Sequence, residues 1–345
     1  MTGSTGMAAS NFDNGRTIHG VLRWNPKGTD YDYDHCAENI KDADLLVIDE
    51  VSMLNSDIIE HLVRCLRKLK RQPQKILSGD FFQLPPVLDK IYPFENPHWP
   101  AFELTPCVLN EIVRQRDAEF VKMLEKAMSR DVSCIDYFNH CSCQRYIEGA
   151  ISICTKNEYA DDINNRMFNG LPGVAKKYEA LGETLNADFR NTRIQRNLYI
   201  KKNMRVMALR NDPAGRFQNG SLGTVLDMEK DQITVIFDNG HTVEISRIGY
   251  TLNSSGKGEI RELKIEQFPI IGGYAISIHK SQGQTFDAVN IMAPRCWAPG
   301  QLYVALSRAR DIKGIHLMVP ISDESLKTDP RVISYCERLY RLGVA

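Results

Sequence analysis

No Gly-x-x-x-x-Gly-Lys-Ser/Thr loop occurs anywhere in these 345 residues, so they hold no backbone cradle of that kind for nucleotide phosphates. The one Gly-Lys pair, Gly256-Lys257, is followed by Gly258, and Thr251 stands where the first glycine of such a loop belongs. No apolar run approaches the span of a membrane helix, and the first residues lack a secretory pattern, so no membrane partner is expected. The nine cysteines follow no framework spacing, which excludes a disulfide scaffold and points to a reducing intracellular compartment. Cys134, His140, Cys141 and Cys143 lie close together, but their spacing matches no usual pair of zinc knuckles, so the cysteines are read as ordinary buried or surface thiols. Neither sign of charge is in excess, with 43 Lys and Arg against 43 Asp and Glu. That excludes a histone-like polyelectrolyte binder and leaves room for a local basic groove. Internal repeats and low-complexity tracts are also missing.

What is present is an α/β pattern, in a chain long enough for two or three domains. Leu45-Leu46-Val47-Ile48 is an apolar run of strand length that ends in two adjacent carboxylates, Asp49 and Glu50. A second edge follows in Ile76-Leu77-Ser78-Gly79-Asp80-Phe81-Phe82-Gln83. Parallel sheets present acidic and amide groups at the carboxyl ends of their strands, where ligands bind. In nucleotide-driven motors the first such carboxylate holds Mg²⁺, usually through water, and the second polarises the attacking water. Between the two edges, Asn55 or Ser56 can cap a helix with Ile58, Ile59, Leu62, Leu66 and Leu69 on one face and Arg64, Arg67, Lys68, Lys70 and Arg71 largely opposite. Residues 1–22 read as a loop and a short helix. A second helical stripe is Phe120, Met123, Leu124, Ala127 and Met128, and Ile151–Cys154 is a short buried strand.

Between about 200 and 267 the character changes. Met204–Leu209, Gly223–Met228, Ile233–Phe237 and Thr242–Ile245 are short strand-like runs, and Asp238-Asn239-Gly240 is a tight-turn signal. A small antiparallel barrel inserted in an α/β domain is expected there. The parent pattern resumes at Tyr274–Ile278, continues through Val289–Met292, and ends with a helix and the Ile315–Val319 strand.

Taken singly, each signal has a plainer reading. Asp49-Glu50 suits a helix N-cap, Gly79-Asp80 a turn, His279–Gly283 a polar loop, and Arg308 and Arg310 a solvated helix face. Their order and spacing together carry more. The chain resembles the Pif-one (petite integration frequency) DNA helicases, in the RecD-like branch of superfamily one. Thr2–Ala9 with Gly15–His19 resembles motif Ia, Val47–Met53 motif II, Gly79–Val87 motif III and Leu109–Gln115 motif IV. Tyr274–Gly283 with Gln284–Asp287 resembles motif V, and Leu302–Ala309 motif VI.

The resemblance implies two RecA-like parallel-sheet domains, with an SH3-like β-barrel insertion in the second. The first would be 1–108 and the second 109–199 with 268–345, interrupted by a barrel at 200–267. It implies an ATP-dependent, 5′-to-3′ DNA helicase acting in repair, recombination, replication or telomere maintenance. ATP and Mg²⁺ are its cofactors. Asp49 would hold Mg²⁺, Glu50 activate water, Gln83 contact the γ-phosphate, and Arg114 and Arg308 act as arginine fingers across a cleft, with Gly283 also at the nucleotide. Thr5, His19, Phe82, Pro85, Pro86, His279, Lys280 and Ser281 would touch single-stranded DNA. The expected partners are single strands and single/double-strand junctions, extending to G-quadruplexes and RNA–DNA hybrids, bound by a monomer. The setting would be a nucleus, a mitochondrion or, for a viral protein, the host cell. The family's P-loop is expected upstream of Thr2. The intact catalytic set favours a recent loss or an incomplete sequence, and the alternative is an inactive remnant that binds single strands or a replication partner.

Overall fold

A computed structural model describes residues 2–3, 16–22, 33–86, 89, 91–109, 111–142, 144–189, 192–254 and 262–341. Compactness divides it into two units. One comprises Met1–Gly79, Pro86–Phe102 and Phe168–Gly273; the other comprises Asp80–Pro85, Glu103–Met167 and Tyr274–Ala345.

In the first unit, four parallel strands lie in the order Arg16–Thr17, Thr2–Gly3, Leu45–Asp49, Gln74–Leu77. Leu46 and Ile48 are buried, as the apolar run requires, and Asp49 closes the strand. The helix Ser56–Lys68 returns the chain to the next strand. Asn55 caps it, its Oδ1 accepting from Ile58 N at 2.9 Å, while Ser56 N donates to Asp89. Ile58, Ile59, Leu62 and Leu66 are buried as the stripe predicts, and His61, Val63 and Cys65 join them. The Arg64, Arg67 and Lys68 face is exposed. No helix among the described residues is long and apolar enough to cross a membrane.

The antiparallel part of this unit extends beyond the expected 200–267. A five-stranded sheet orders Thr242–Ser246, Gln232–Phe237, Leu222–Met228, Arg205–Ala208 and Ile270–Gly272. A three-stranded sheet joins Ile248–Asn253, Glu262–Gln267 and Leu181–Gly182, and Lys176–Glu179 pairs with Asn197–Ile200. The strands outside 200–267, Lys176–Glu179, Leu181–Gly182, Asn197–Ile200 and Ile270–Gly272, are two to four residues long, too short for an alternation to stand out in the sequence. The Asp238-Asn239-Gly240 turn joins two of the predicted strands, with Gly240 at φ 90°.

The second unit has its own four-stranded parallel sheet, ordered Ala275–Ser277, Ile151–Cys154, Val289–Met292, Ile315–Leu317. Nearly all of these strand residues are buried, which is why their sequences read as continuous apolar runs. Asn164, on the Asn157–Gly170 helix, fixes the edge strand by donating to Ala275 O at 2.8 Å and accepting from Ala275 N at 3.0 Å. The Ala118–Ser129 helix buries Phe120, Leu124 and Ala127, with Met123 and Met128 half-buried.

Candidate nucleotide and DNA-strand site

The acidic edge lies wholly in the first unit. Asp49 ends its strand, and Glu50 follows in the left-handed region at φ 54°, ψ 44°. A non-glycine residue there is held by its surroundings. The hold comes from the neighbouring strand: Val51 N donates to Ser78 O at 2.8 Å, and Ser78 N donates to Ile48 O at 2.9 Å. Gly79 lies against the same loop, and a Cβ on it would sit 2.9 Å from Val51 N and 3.0 Å from Val51 Cγ1. Glycine therefore lets the two edges approach. Gly79→Ala is expected to force the acidic loop outward at a cost of about 1–3 kcal/mol, read as a lowered urea midpoint. An unchanged midpoint would mean the loop yields freely.

Asp80 begins the second unit's share of this segment and organises it. Its Oδ1 accepts from Phe82 N at 2.9 Å, and its Oδ2 accepts from Gln83 Nε2 at 3.2 Å and Tyr303 Oη at 3.3 Å. Burial pushes the Asp80 carboxyl above the usual carboxylate range, opposed by these hydrogen bonds and by the Arg308 charge. Phe81 packs edge-on against Tyr335 at 5.6 Å. Gly300, at φ 74°, brings the start of the Gln301–Leu306 helix against the same loop; a Cβ there would meet the Phe82 and Gln83 carbonyl oxygens. A phosphate oxygen can only accept, so Gln83 can serve a γ-phosphate only through Nε2, which is engaged by Asp80. Contact with nucleotide would therefore exchange one partner for another.

Arg308 sits at the core of the second unit and is 1% exposed. Nε donates to Val304 O at 2.8 Å, Nη1 to Ser281 O at 3.3 Å and Gln284 O at 3.0 Å, and Nη2 to Ser307 Oγ at 2.7 Å. In this conformation the guanidinium knits the 281–284 loop to the end of the Gln301–Leu306 helix, instead of projecting as the expected finger. Gln115 completes the same hub, with Nε2 donating to Ser307 O at 3.1 Å and Ala309 O at 3.0 Å; Arg114 Nη1 reaches Ser307 O at 3.4 Å.

The expected strand contacts separate into two groups. Ser281 is fully buried and its hydroxyl donates to Ile278 O at 2.8 Å, so it stabilises the loop and has no surface to offer a strand. Pro86 is buried as well. Lys280 and Gly283 are exposed, while His279, Phe82, Pro85 and, in the first unit, His19 are half-buried. Burial lowers the pKa of both His19 and His279, which keeps both rings neutral at physiological pH. His279 stacks on Trp297 at 5.6 Å and 19°, and Trp297 is 56% exposed. Gln301 Oε1 accepts from Trp297 N at 2.9 Å and so fixes that loop. Only its exposure marks Trp297, which the sequence patterns leave unremarked. Thr5, Cys143 and the side chain of Cys141 lie outside the described residues. Cys134 is buried, its thiol pushed up to about 11 by burial.

Comparison with known proteins bears on the family and the fold. Residues 1–96 match the model for the PIF1-like helicases, and residues 272–311 match the UvrD-like helicase C-terminal domain. The ATP-dependent DNA helicase Pif1 of Bdellovibrio bacteriovorus is 31% identical over 362 aligned positions, covering 96% of this chain and 80% of the relative. The chain belongs to the PIF1-like helicase family. The human ATP-dependent DNA helicase PIF1 is also 31% identical, over 86% of the chain but 49% of its own length, so the chain spans about half of that relative. Among solved structures, a Pif1 helicase from Bacteroides aligns at TM-score 0.79 and its complex with ADP-AlF4 at 0.76; both are 28% identical and cover 99% of this chain and 87% of theirs. A third, with ADP-AlF3 and single-stranded DNA, aligns at 0.68 with the same identity and coverage. These PIF1-like neighbours share the α/β fold with parallel sheets described above.

Proposed function

We propose that this chain is the catalytic part of an ATP-dependent helicase that translocates 5′ to 3′ on single-stranded DNA and unwinds duplex ahead of it. The observation that supports this best is the Ile76–Gln83 segment. On one side of the Gly79–Asp80 peptide it clamps the Asp49-Glu50 loop; on the other it is held by Tyr303, beside the Arg308 hub. Asp49 and Glu50 offer hard oxygen donors that suit Mg²⁺, with Asp49 as its holder and Glu50 orienting the attacking water. Arg114, the more exposed of the two arginines, is the better candidate to donate to phosphate.

The strand would lie on Lys280, His279 and Trp297. A lysine contacts phosphate without reading sequence, and a flat aromatic pair accepts any base. The 345-residue chain is expected to bind single strands in preference to blunt duplex. Its affinity should fall with salt at a slope of about −0.7 per phosphate contact. Lys280→Ala should weaken binding and reduce that slope without changing base preference. A fluorescence titration with labelled oligonucleotides at several salt concentrations checks this; salt-independent binding, or a preference for duplex, would contradict it.

A second reading, a single-strand binder without turnover, is favoured by the inward-turned Arg308. The two readings part on whether single strands stimulate ATP hydrolysis once a P-loop is supplied.

A further inference from the structure

Three potential metal ligands converge in the first unit, away from the acidic edge. Cys36 lies on the helix Tyr33–Ala37, while His61 and Cys65 lie one turn apart on the helix Ser56–Lys68. Their ligand atoms all lie within 4.8 Å of one another, and it is the only such group of buried ligands among the described residues. All three are buried, at 5%, 3% and 0% exposed. The i, i+4 spacing places His61 and Cys65 on one helix face, and packing of the shorter helix supplies the third ligand.

We propose that Cys36, His61 and Cys65 form a zinc site that pins these two helices together. Around Zn²⁺ in tetrahedral geometry, ligand sulfurs stand about 3.8 Å apart, since each Zn–S bond is about 2.3 Å. The observed separations need to close by about 1 Å at most, a side-chain adjustment. His61 Nε2 lies 3.1 Å from Leu22 O. A carbonyl can only accept, so Nε2 carries the proton and Nδ1 holds the lone pair, the arrangement a backbone carbonyl imposes on metal-bound histidines. Charge selects the ion. Two thiolates and a neutral imidazole balance Zn²⁺ to zero, whereas a monovalent ion would leave an uncompensated buried negative charge. Three protein ligands leave a fourth position for water.

Binding forms two Zn–S bonds and one Zn–N bond and releases both thiol protons to solvent. In the metal-free protein the hydrogen bond with Cys36, and then burial, push the Cys65 thiol up. The site would fix the helix that begins just after the Asp49-Glu50 loop, and so stabilise the region carrying the carboxylates.

The reduced full chain, stripped of metal, is titrated with Co²⁺ and then with Zn²⁺ in competition with a chelating dye. The expected result is one ion per chain, a thiolate-to-cobalt charge-transfer band with tetrahedral visible bands, and two protons released per Zn²⁺ bound. Cys65→Ser and Cys36→Ser should each weaken binding by at least about 100-fold, while Cys107→Ser, at an exposed thiol, should leave it unchanged. If a serine variant fails to fold, the charge-transfer band and proton count of the unaltered chain still decide. No stoichiometric binding, a cobalt spectrum without the thiolate band, or full affinity in Cys65→Ser would overturn the proposal.

Discussion

Arg308→Ala is expected to destabilise the second unit by about 3–5 kcal/mol, the usual consequence of removing one side of a buried charged network. The alanine leaves the carbonyls of Val304, Ser281 and Gln284 and the Ser307 hydroxyl without the donor they share. Val304 O still accepts from the Ser307 hydroxyl and Ser281 O from Gln284 N, so the loss falls hardest on Gln284 O, in a buried setting. Arg308→Lys should recover little, since an ammonium has one nitrogen where the planar fork reaches four acceptors. Urea denaturation of the two variants, followed by near-ultraviolet circular dichroism, checks this. A midpoint unchanged in Arg308→Ala would show that the network contributes nothing net. The same substitution in a form able to turn over ATP should also lower the rate, by roughly 10³-fold if the arginine swings to the transferring phosphoryl group. Loss of stability without loss of turnover in the folded fraction would assign Arg308 to structure alone and leave Arg114 as the finger.

The 345-residue chain is expected to show little ATP hydrolysis, with or without single-stranded DNA, because these residues contain no P-loop amides or lysine for the β- and γ-phosphates. Joining the P-loop strand and helix of a PIF1-like relative to its N-terminus should create DNA-stimulated turnover. In that form Glu50→Gln should reduce the rate by about 10²–10⁴-fold, the range for removing a general base, while leaving nucleotide affinity nearly intact. A coupled assay for phosphate release, with and without an oligonucleotide, reads both effects. Robust DNA-stimulated hydrolysis by the 345-residue chain itself would mean that another part of it grips phosphate.

The strands that carry the site were legible as apolar runs: Ile151–Cys154 and Val289–Met292 are buried on both faces, while Leu45–Asp49 buries only Leu46 and Ile48 fully. The helix at Ser56–Lys68 was legible through its stripe and its Asn55 cap. What escaped depends on partners far apart in sequence. Asp80 looked like a turn residue until Tyr303 was found on its carboxylate, 223 positions away. Gln115 looked like the tail of a motif until its amide was found on Ser307 and Ala309. Nothing local distinguishes a buried arginine from a solvated one, so Arg308 read as a finger or a surface group, although its guanidinium is buried in a backbone cage. Ser281 failed in the same way: its residue type suits a phosphate contact, but the Ile278 carbonyl takes the hydroxyl. The Cys36–His61–Cys65 group was hidden because two of its members sit among the apolar residues of a helix stripe, where cysteine and histidine pass as core.

Strand displacement from tailed duplexes tests the motor assignment most directly. The P-loop-bearing form is given ATP, Mg²⁺ and a fluorescent duplex with either a 5′ or a 3′ single-stranded tail. The account predicts ATP-dependent displacement from the 5′-tailed duplex and none from the 3′-tailed one, with the activity lost in Glu50→Gln. Displacement from the 3′-tailed duplex, or none from either while ATP is hydrolysed, would contradict it.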